Sequence, residues 1–358
     1  MLKLPGFVNA HSHAFQRALR GRVEGRDFWA WRETMLELAR GQTPAGVRQE
    51  YAAVYREMRA AGYTAVGEFH YLGPAEARAA AEAAAEAGVE LVLLYVAYAR
   101  GGIDRFRQAS VAEYLRQLEE LRADGIRVGV APHSVRACPR AWLEKLGRYA
   151  ATHELPLHVH ADEQPREIEE CLSEHGVRPI ELLAACGCLG SRTTVVHAVH
   201  ADGRELDLLG EAAARVCACP TTEANLGDGF LPVERLLHRA IGLCIGSDSN
   251  VRIDPLEELR ELDGVARRQA GRRDVLTVDA LLSIGSDEGA ASLGLEAWPS
   301  LEIDLSHPQL RGVAEPLCAL VAGCSADVVA YPAGARRRFW RRTAEKEVGQ
   351  WSDSASRC

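Results

Sequence analysis

Two histidines separated by one residue, His11 and His13, follow the short apolar segment LPGFVNA near the start of the sequence. Side chains alternate between the two faces of a β-strand, so on a strand both imidazoles would project from the same face. Two neutral imidazoles at this spacing can bind one divalent metal ion. A His-x-His pair alone is a weak signal, and a metal site would need further ligands from elsewhere in the chain.

Further candidate residues also lie where apolar segments end. His160 ends the segment LPLHVH and Asp248 ends GLCIGSD, so three histidines and a carboxylate could bind a metal ion with room left for a water molecule. Glu163 could take a proton from that water and pass it to a leaving group, or it could simply begin the next helix. His197, at the end of TTVVH, could bind or polarise a substrate, or could be a hydrogen-bonded core histidine.

These residues can meet only if the apolar segments are neighbours in the fold. The segments alternate with amphipathic stretches, a pattern that indicates an α/β fold with a parallel sheet. We expect strands at residues 4–10, 64–69, 91–97, 127–132, 155–160, 193–198, 215–220 and 242–248. Eight such units close a (β/α)8 TIM-like barrel, whose active sites lie at the carboxyl ends of the strands. A doubly wound open sheet is the alternative, but no Gly-x-Gly-x-x-Gly motif follows the first strand.

The composition narrows the class of protein. The chain has 358 residues, of which 47% are hydrophobic and 26% charged, and this balance excludes a fibrous or disordered protein. The formal net charge of -8 argues against nucleic acid as a partner. Apolar segments of about ten residues are too short to span a membrane. Ten cysteines without a Cys-x-x-Cys motif are expected to be reduced thiols in a cytoplasmic protein.

In combination, these residues resemble the pattern of the amidohydrolase superfamily: His-x-His after the first barrel strand, a histidine after the fifth and after the sixth, and an aspartate after the eighth. The residues that match this order are His11, His13, His160, His197 and Asp248. The mononuclear deaminase branch also carries a glutamate three residues after the fifth-strand histidine, and Glu163 matches it. The resemblance implies that His11, His13, His160 and Asp248 bind a metal ion, and that Glu163, His197 and Asp248 act in catalysis.

The number of metal ions can be inferred from the lysines. Two-metal barrels of this kind use a bridging carbamylated lysine, and the only lysines here are Lys3, Lys145 and Lys346. None of them ends a predicted strand, so we expect a single divalent metal ion. Zn²⁺ is the expected ion, although Fe²⁺ and Mn²⁺ also suit three histidines and an aspartate.

Several longer strings resemble the formimidoylglutamate deiminases within this superfamily, over residues 4–320. They are NAHSHAFQRALRG, FWAWRETM, EFHYL, APHSVRA, HVHADEQPREIEEC, TTEANLGDG and IGSDSNV. The resemblance implies hydrolysis of N-formimidoyl-L-glutamate to N-formyl-L-glutamate and ammonia, a reaction of histidine degradation. A substrate with two carboxylates requires fixed cations, and Arg32 and Arg136 are the candidates because guanidinium binds carboxylate bidentately. Gln16, Tyr71 and His133 are candidate neutral contacts.

Two alternative functions remain open at this point. The first is another mononuclear deaminase that acts on guanine, a related purine or an unidentified amidine, and which would need no pair of arginines. The second is a non-catalytic, truncated barrel that still binds metal. We expect a small-molecule partner, no nucleic-acid or membrane partner, and possible homodimers, since members of the superfamily tend to be dimers.

The expected domain organisation is a metal-dependent barrel at residues 1–297 followed by a remnant of a β-sandwich and a polar, basic tail at 298–358. Superfamily members normally begin with several β-strands before His-x-His, and those strands pair with C-terminal ones in a small β-sandwich. Here His-x-His starts at His11, so the sandwich is expected to be largely missing or truncated. The expected cause is either a start position placed too late in the gene or a truncation or frame shift near the end of the gene. The tail after Val329 is expected to be exposed or disordered.

Overall fold

A computed structural model describes residues 1–25 and 27–330 of the chain. The predicted exposed tail therefore lies almost entirely outside the described residues. The strands are β1 (Leu2–Pro5), β2 (Phe7–Ser12), β3 (Tyr63–His70), β4 (Glu90–Ala97), β5 (Val128–Pro132), β6 (Leu157–Ala161), β7 (Thr193–His197), β8 (Arg215–Ala218), β9 (Gly242–Ile245), β10 (Ser300–Ile303) and β11 (Val329–Ala330).

Strands β2 to β9 form one eight-stranded sheet in which each strand pairs in parallel with the next along the chain. All eight correspond to predicted strands, so the predicted (β/α)8 barrel is confirmed. The sheet closes beyond the last strand, where Ser12 at the end of β2 forms a parallel bridge with Asp248. This closure brings the first and last strand ends, which carry predicted ligands, into direct contact.

The helices alternate with the barrel strands and cover them. They are α1 (Phe28–Arg40), α2 (Pro44–Ala61), α3 (Pro74–Ala87), α4 (Val111–Ala123), α5 (Arg140–Thr152), α6 (Pro165–His175), α7 (Pro179–Ala185), α8 (Gly203–Glu211), α9 (Pro220–Leu226), α10 (Val233–Leu237), α11 (Pro255–Ala270), α12 (Val278–Gly285), α13 (Asp287–Ser292) and α14 (Pro316–Gly323). Many begin at proline, whose fixed φ and missing N–H suit the first helical turn. Among the described residues, no helix is long and apolar enough to cross a membrane.

The first predicted strand, at residues 4–10, is divided in the structure. Gly6 separates β1 from β2, and its N–H donates to the Pro299 carbonyl at 3.1 Å. A Cβ at position 6 would lie 2.0 Å from Thr64 Oγ1, so only glycine fits this close approach. Strand β1 then pairs with β10, which pairs with β11, in a three-stranded antiparallel sheet. The domain boundary between residues 297 and 298 stays a prediction.

The barrel interior below the predicted site is packed with small apolar side chains. Ala10, Val196 and the thiols of Cys217, Cys219 and Cys244 form one fully buried cluster inside the strands. These three cysteines are free, but Cys318 is disulfide-bonded, so the expectation that all ten cysteines are reduced thiols is wrong for that residue. A packed interior holds the strand ends in fixed positions and leaves the carboxyl-end face for chemistry.

Candidate active site

The four predicted ligands lie together at the carboxyl ends of β2, β6 and β9. The Nε2 atom of His11 lies 3.1 Å from Nε2 of His13 and 3.0 Å from Nε2 of His160. The Nε2 atoms of His13 and His160 are 3.4 Å apart, and Oδ1 of Asp248 lies 3.3 Å from His13 Nε2. Metal–nitrogen distances of about 2.0–2.1 Å in a tetrahedral site imply ligand separations of about 3.3 Å. The spacing therefore fits one metal ion.

The hydrogen bonds of these histidines also favour a cation. Nδ1 of His13 lies 3.2 Å from the Phe69 carbonyl, and Nδ1 of His160 lies 2.9 Å from the His133 carbonyl. A carbonyl only accepts, so both Nδ1 atoms carry hydrogen and both Nε2 lone pairs face each other. Burial lowers the pKa of His11, His160 and His13, the last to about 3, so these imidazoles are neutral. Facing lone pairs without a proton between them suit a divalent metal ion.

Short backbone contacts fix the position of Asp248. Its N–H donates to the His11 carbonyl at 3.0 Å, and its carbonyl accepts from the His13 N–H at 2.8 Å. This approach requires Gly246, because a Cβ there would lie 2.6 Å from the His11 carbonyl oxygen. Asp248 adopts a positive φ of 42°, and His197 at the end of β7 has a φ of 73°. Strained backbone of this kind is typical of functional sites, where the surrounding structure compensates for it.

A buried amide and hydroxyl network supports the same strand ends. The Asn9 side chain donates to Ser247 Oγ at 2.6 Å, and Ser247 Oγ donates to Asn250 Oδ1 at 2.7 Å. Asn250 Nδ2 in turn donates to Ser12 Oγ at 3.1 Å and to the Asp248 carbonyl at 3.0 Å. No role was predicted for these four residues, although the strings NAHSHAFQRALRG and IGSDSNV contain them. The network locks β2 and the residues after β9 together around the ligands.

Glu163 and His197 face each other beside the metal cluster. Glu163 lies just before α6, which begins at Pro165, and its Oε1 is 3.8 Å from His197 Nε2. His197 Nδ1 lies 3.3 Å from Oε1 of Glu223, and its Nε2 is 3.8 Å from Oδ2 of Asp248. Burial raises the pKa of Glu163, while His197 and Arg136 oppose the shift. The arrangement permits proton exchange between Glu163 and a molecule beside the cluster.

The electrostatics of His197 are set by carboxylates on three sides. Burial disfavours its charge, but Glu163, Glu223 and Asp248 outweigh burial and raise the pKa of His197 to about 10. Glu223 in α9 had not been predicted as a site residue. It accepts both His197 Nδ1–H and the Cys219 N–H, the latter at 2.9 Å, and so it fixes the orientation of the imidazole. Its only sequence signal was its position after β8 in the string TTEANLGDG.

A cavity of about 330 Å³ opens above the cluster and contains the predicted substrate-binding residues. Its lining includes Gln16, Arg32, Tyr71, His133 and Arg136, together with the predicted catalytic residues. Gln16 Nε2 donates to the Tyr71 hydroxyl at 3.0 Å. The structure thus brings all the predicted site residues into one place, while their roles stay predictions.

The two arginines approach the cavity from different elements. Arg136 follows β5, and its Nη2 lies 3.7 Å from Glu163 Oε2 while its Nε lies 3.4 Å from Glu167 Oε1. Arg32 lies in α1 and its guanidinium interacts with the Tyr98 hydroxyl. Tyr98 and the aromatic residues of α1 also line the cavity but were not predicted as site residues. Both guanidiniums are partly buried, with side-chain exposures of 21% for Arg136 and 25% for Arg32.

Comparisons with known proteins agree with this architecture. Residues 2–297 match the model of the Amidohydrolase family. A formimidoylglutamate deiminase of Pseudomonas aeruginosa is 37% identical over 312 residues, covering 79% of this chain and 68% of its own length. A 5-methylthioadenosine/S-adenosylhomocysteine deaminase of Halobacterium salinarum is 31% identical over 307 residues, covering 83% of this chain and 69% of its own. The crystal structure of an adenosine deaminase of Xanthomonas campestris with bound zinc has a TM-score of 0.84 at 24% identity, covering 91% of this chain and 77% of that one.

The chain belongs to the amidohydrolase family. It is a metal-dependent hydrolase that acts on C–N bonds, and its relatives are deaminases of differing substrates. The family and the buried histidine–aspartate cluster indicate a divalent metal ion. The alternative of a non-catalytic barrel is not supported, because the chain belongs to a family of metal-dependent hydrolases.

Proposed function

We propose that the protein hydrolyses N-formimidoyl-L-glutamate to N-formyl-L-glutamate and ammonia, with Zn²⁺ as its metal ion. Water adds across the carbon–nitrogen double bond of the formimidoyl group, the bond to the terminal nitrogen breaks, and that nitrogen leaves as ammonia. The relative in Pseudomonas aeruginosa that carries the name of this activity supports the proposal. The cytoplasmic location, the role in histidine degradation and the homodimer stay predictions.

One observation carries the proposal. A single cavity of about 330 Å³ combines a metal-type cluster, the Glu163 carboxylate and the guanidiniums of Arg32 and Arg136. Two fixed cations suit a substrate with two carboxylates, since each guanidinium can bind one carboxylate through two parallel hydrogen bonds. A neutral purine base would offer no carboxylate for either guanidinium to bind.

The roles of the side chains follow from their positions. A divalent ion held by His11, His13, His160 and Asp248 would supply a water molecule of lowered pKa. Glu163 lies where its carboxylate would take up a proton from that water and donate one to the departing nitrogen. His197, oriented by Glu223, holds its Nε2 beside the reacting carbon, where it stabilises developing negative charge.

Arg136 and Arg32 orient the substrate so that its formimidoyl carbon reaches the cluster. Arg136 lies within 3.7 Å of Glu163, so a carboxylate bound by Arg136 stays close to the acid–base residue. The Tyr98 hydroxyl contacts Arg32 and limits its side-chain freedom. Pre-oriented charges reduce the entropy lost when the substrate binds.

The test is ammonia release by the zinc-loaded protein from N-formimidoyl-L-glutamate, with guanine and 5-methylthioadenosine as parallel substrates. Rapid release from the formimidoyl compound alone is the expected result. Release from a purine compound alone would overturn the proposal and leave a deaminase of another substrate. Replacing Arg136 with Met should mainly raise KM for the dicarboxylate and have little effect on turnover of a purine.

The role of Glu163 is tested by the isosteric change Glu163→Gln. We expect normal zinc content and a fall in kcat of about 100-fold or more, as for other general acid–base residues. The partly exposed Glu144 on α5, away from the cavity lining, provides a matched control, since Glu144→Gln should leave kcat unchanged. Near-normal turnover by Glu163→Gln would refute its assignment.

A further inference from the structure

The buried carboxylate of Glu167 contacts two functional residues at once. Its Oε1 lies 3.4 Å from Nε of Arg136, and its Oε2 accepts the backbone N–H of Glu163 at 3.3 Å. The Glu167 side chain is completely buried, with 0% exposure, in the first turn of α6. Buried carboxylate oxygens are costly unless they are paired, and these two contacts pair both oxygens of Glu167.

The same helix is tied to the segment that carries Arg136 by a second pairing. Arg100 Nε donates to the Arg136 carbonyl at 2.8 Å, and its guanidinium pairs with Glu174 of α6 at 2.7 Å. The segment after β5 is therefore tied to the last turn of α6 through Arg100, as it is tied to the first turn through Glu167. Within residues 1–25 and 27–330, however, only Glu167 forms side-chain hydrogen bonds to both the Arg136 guanidinium and the backbone of Glu163.

We propose that Glu167 is a positioning residue that sets the distance between the substrate's carboxylate anchor, Arg136, and the acid–base residue Glu163. This inference rests on the proposed function of the site. By occupying the Nε side of Arg136, Glu167 leaves the terminal nitrogens for a substrate carboxylate. By accepting the Glu163 N–H, it fixes the backbone from which the Glu163 side chain reaches the reacting group. One carboxylate thus affects both substrate binding and proton transfer.

The direct test is Glu167→Gln. Glutamine keeps the shape and one acceptor oxygen, but its NH2 must face either Arg136 Nε–H or the Glu163 N–H, which are both donors. Loss of a hydrogen bond to a charged group predicts a fall in kcat/KM of about 10- to 100-fold, shared between a higher KM and a lower kcat. Glu169→Gln, at an exposed position of the same helix, is the matched control and should change neither.

A double-mutant cycle separates positioning from a general structural role. If Glu167 acts on binding through Arg136, its effect on KM should disappear in the Arg136→Met background, while its effect on kcat persists. Zinc content should match the wild type, because a merely structural role that disturbs the site would change it. If Glu167→Gln loses zinc or unfolds early, Glu167→Asp replaces it: a shorter carboxylate cannot reach both partners, so the same losses are expected.

The results distinguish this inference from the proposed function. If the wild-type protein is active only on a purine, the proposed function is overturned. The role of Glu167 is then tested by the kcat of Glu167→Gln on that purine, because the contact between Glu167 and Glu163 does not depend on a substrate carboxylate. Hydrogen exchange of the Glu163 amide reports the same contact without substrate and should be faster in Glu167→Gln. The positioning role is overturned if kcat/KM of Glu167→Gln lies within threefold of the Glu169→Gln control. It is also overturned if Glu167→Gln raises KM by the same factor in the Arg136→Met background as in the wild type.

Discussion

Removal of the metal ion should lower the unfolding temperature of the protein measurably. The four candidate ligands come from three strand ends, and His160 is 149 residues from His11 in the sequence. The folded barrel therefore presents four ligands, whereas an unfolded chain presents only the local pair of His11 and His13. A metal ion that binds the folded form far more tightly stabilises it by mass action.

The expected magnitude follows from this difference. At a free zinc concentration 1,000 times Kd, binding contributes about 4.1 kcal/mol to the free energy of unfolding. An unfolding entropy of about 2.1 cal/mol/K per residue corresponds to about 0.75 kcal/mol/K for a chain of this length. Chelation should therefore lower Tm by about 5 °C, since the shift is the ratio of these two quantities.

Scanning calorimetry of the zinc-loaded and the chelated protein measures this shift, with metal content determined on the same samples. His13→Gln should lose most of the zinc-dependent stabilisation. His153→Gln, which changes an exposed histidine at the end of α5, should retain it. An equal Tm for loaded and metal-free wild type, or equal loss in both variants, would refute the assignment of these four residues as a metal site.

Three further predictions concern single residues. Burial lowers the pKa of His70 to about 4, so this residue takes up a proton near pH 6.5 in the unfolded chain but not in the folded one. The free energy of unfolding should therefore fall by up to about 3 kcal/mol as pH drops from 6.5 to 4. In urea unfolding, His70→Gln should show a flatter dependence of this free energy on pH. Glu223→Gln weakens the hold on His197 and should lower kcat about 10- to 100-fold at unchanged zinc content, as measured by steady-state kinetics. Gly246→Ala places a Cβ 2.6 Å from the His11 carbonyl and should cost about 1–3 kcal/mol in urea unfolding, whereas an unchanged midpoint would contradict the required close approach.

The barrel and its ligand cluster were predictable because both depend on local periodicity. Alternation on a strand puts His11 and His13 on one face, and parallel strands bring their carboxyl ends to one edge, where His160 and Asp248 also lie. Neither argument requires knowledge of distant contacts. The division of the first strand at Gly6 was not predictable in this way, because it results from the close approach of Thr64 and Pro299.

The supporting residues of the site were less visible in the sequence for a physical reason. Glu167 and Glu223 lie on helices where glutamate normally faces solvent, and nothing in their neighbours' types shows that each is buried against a functional partner. Their roles depend on the rotation of α6 and α9 against the barrel, which is set by packing over the whole fold. Ligands can therefore be found from the strand pattern, whereas residues that orient them emerge only when distant segments are placed in contact. The network of Asn9, Ser247 and Asn250 follows the same rule, since its hydrogen bonds join the first barrel strand to the residues after the last one.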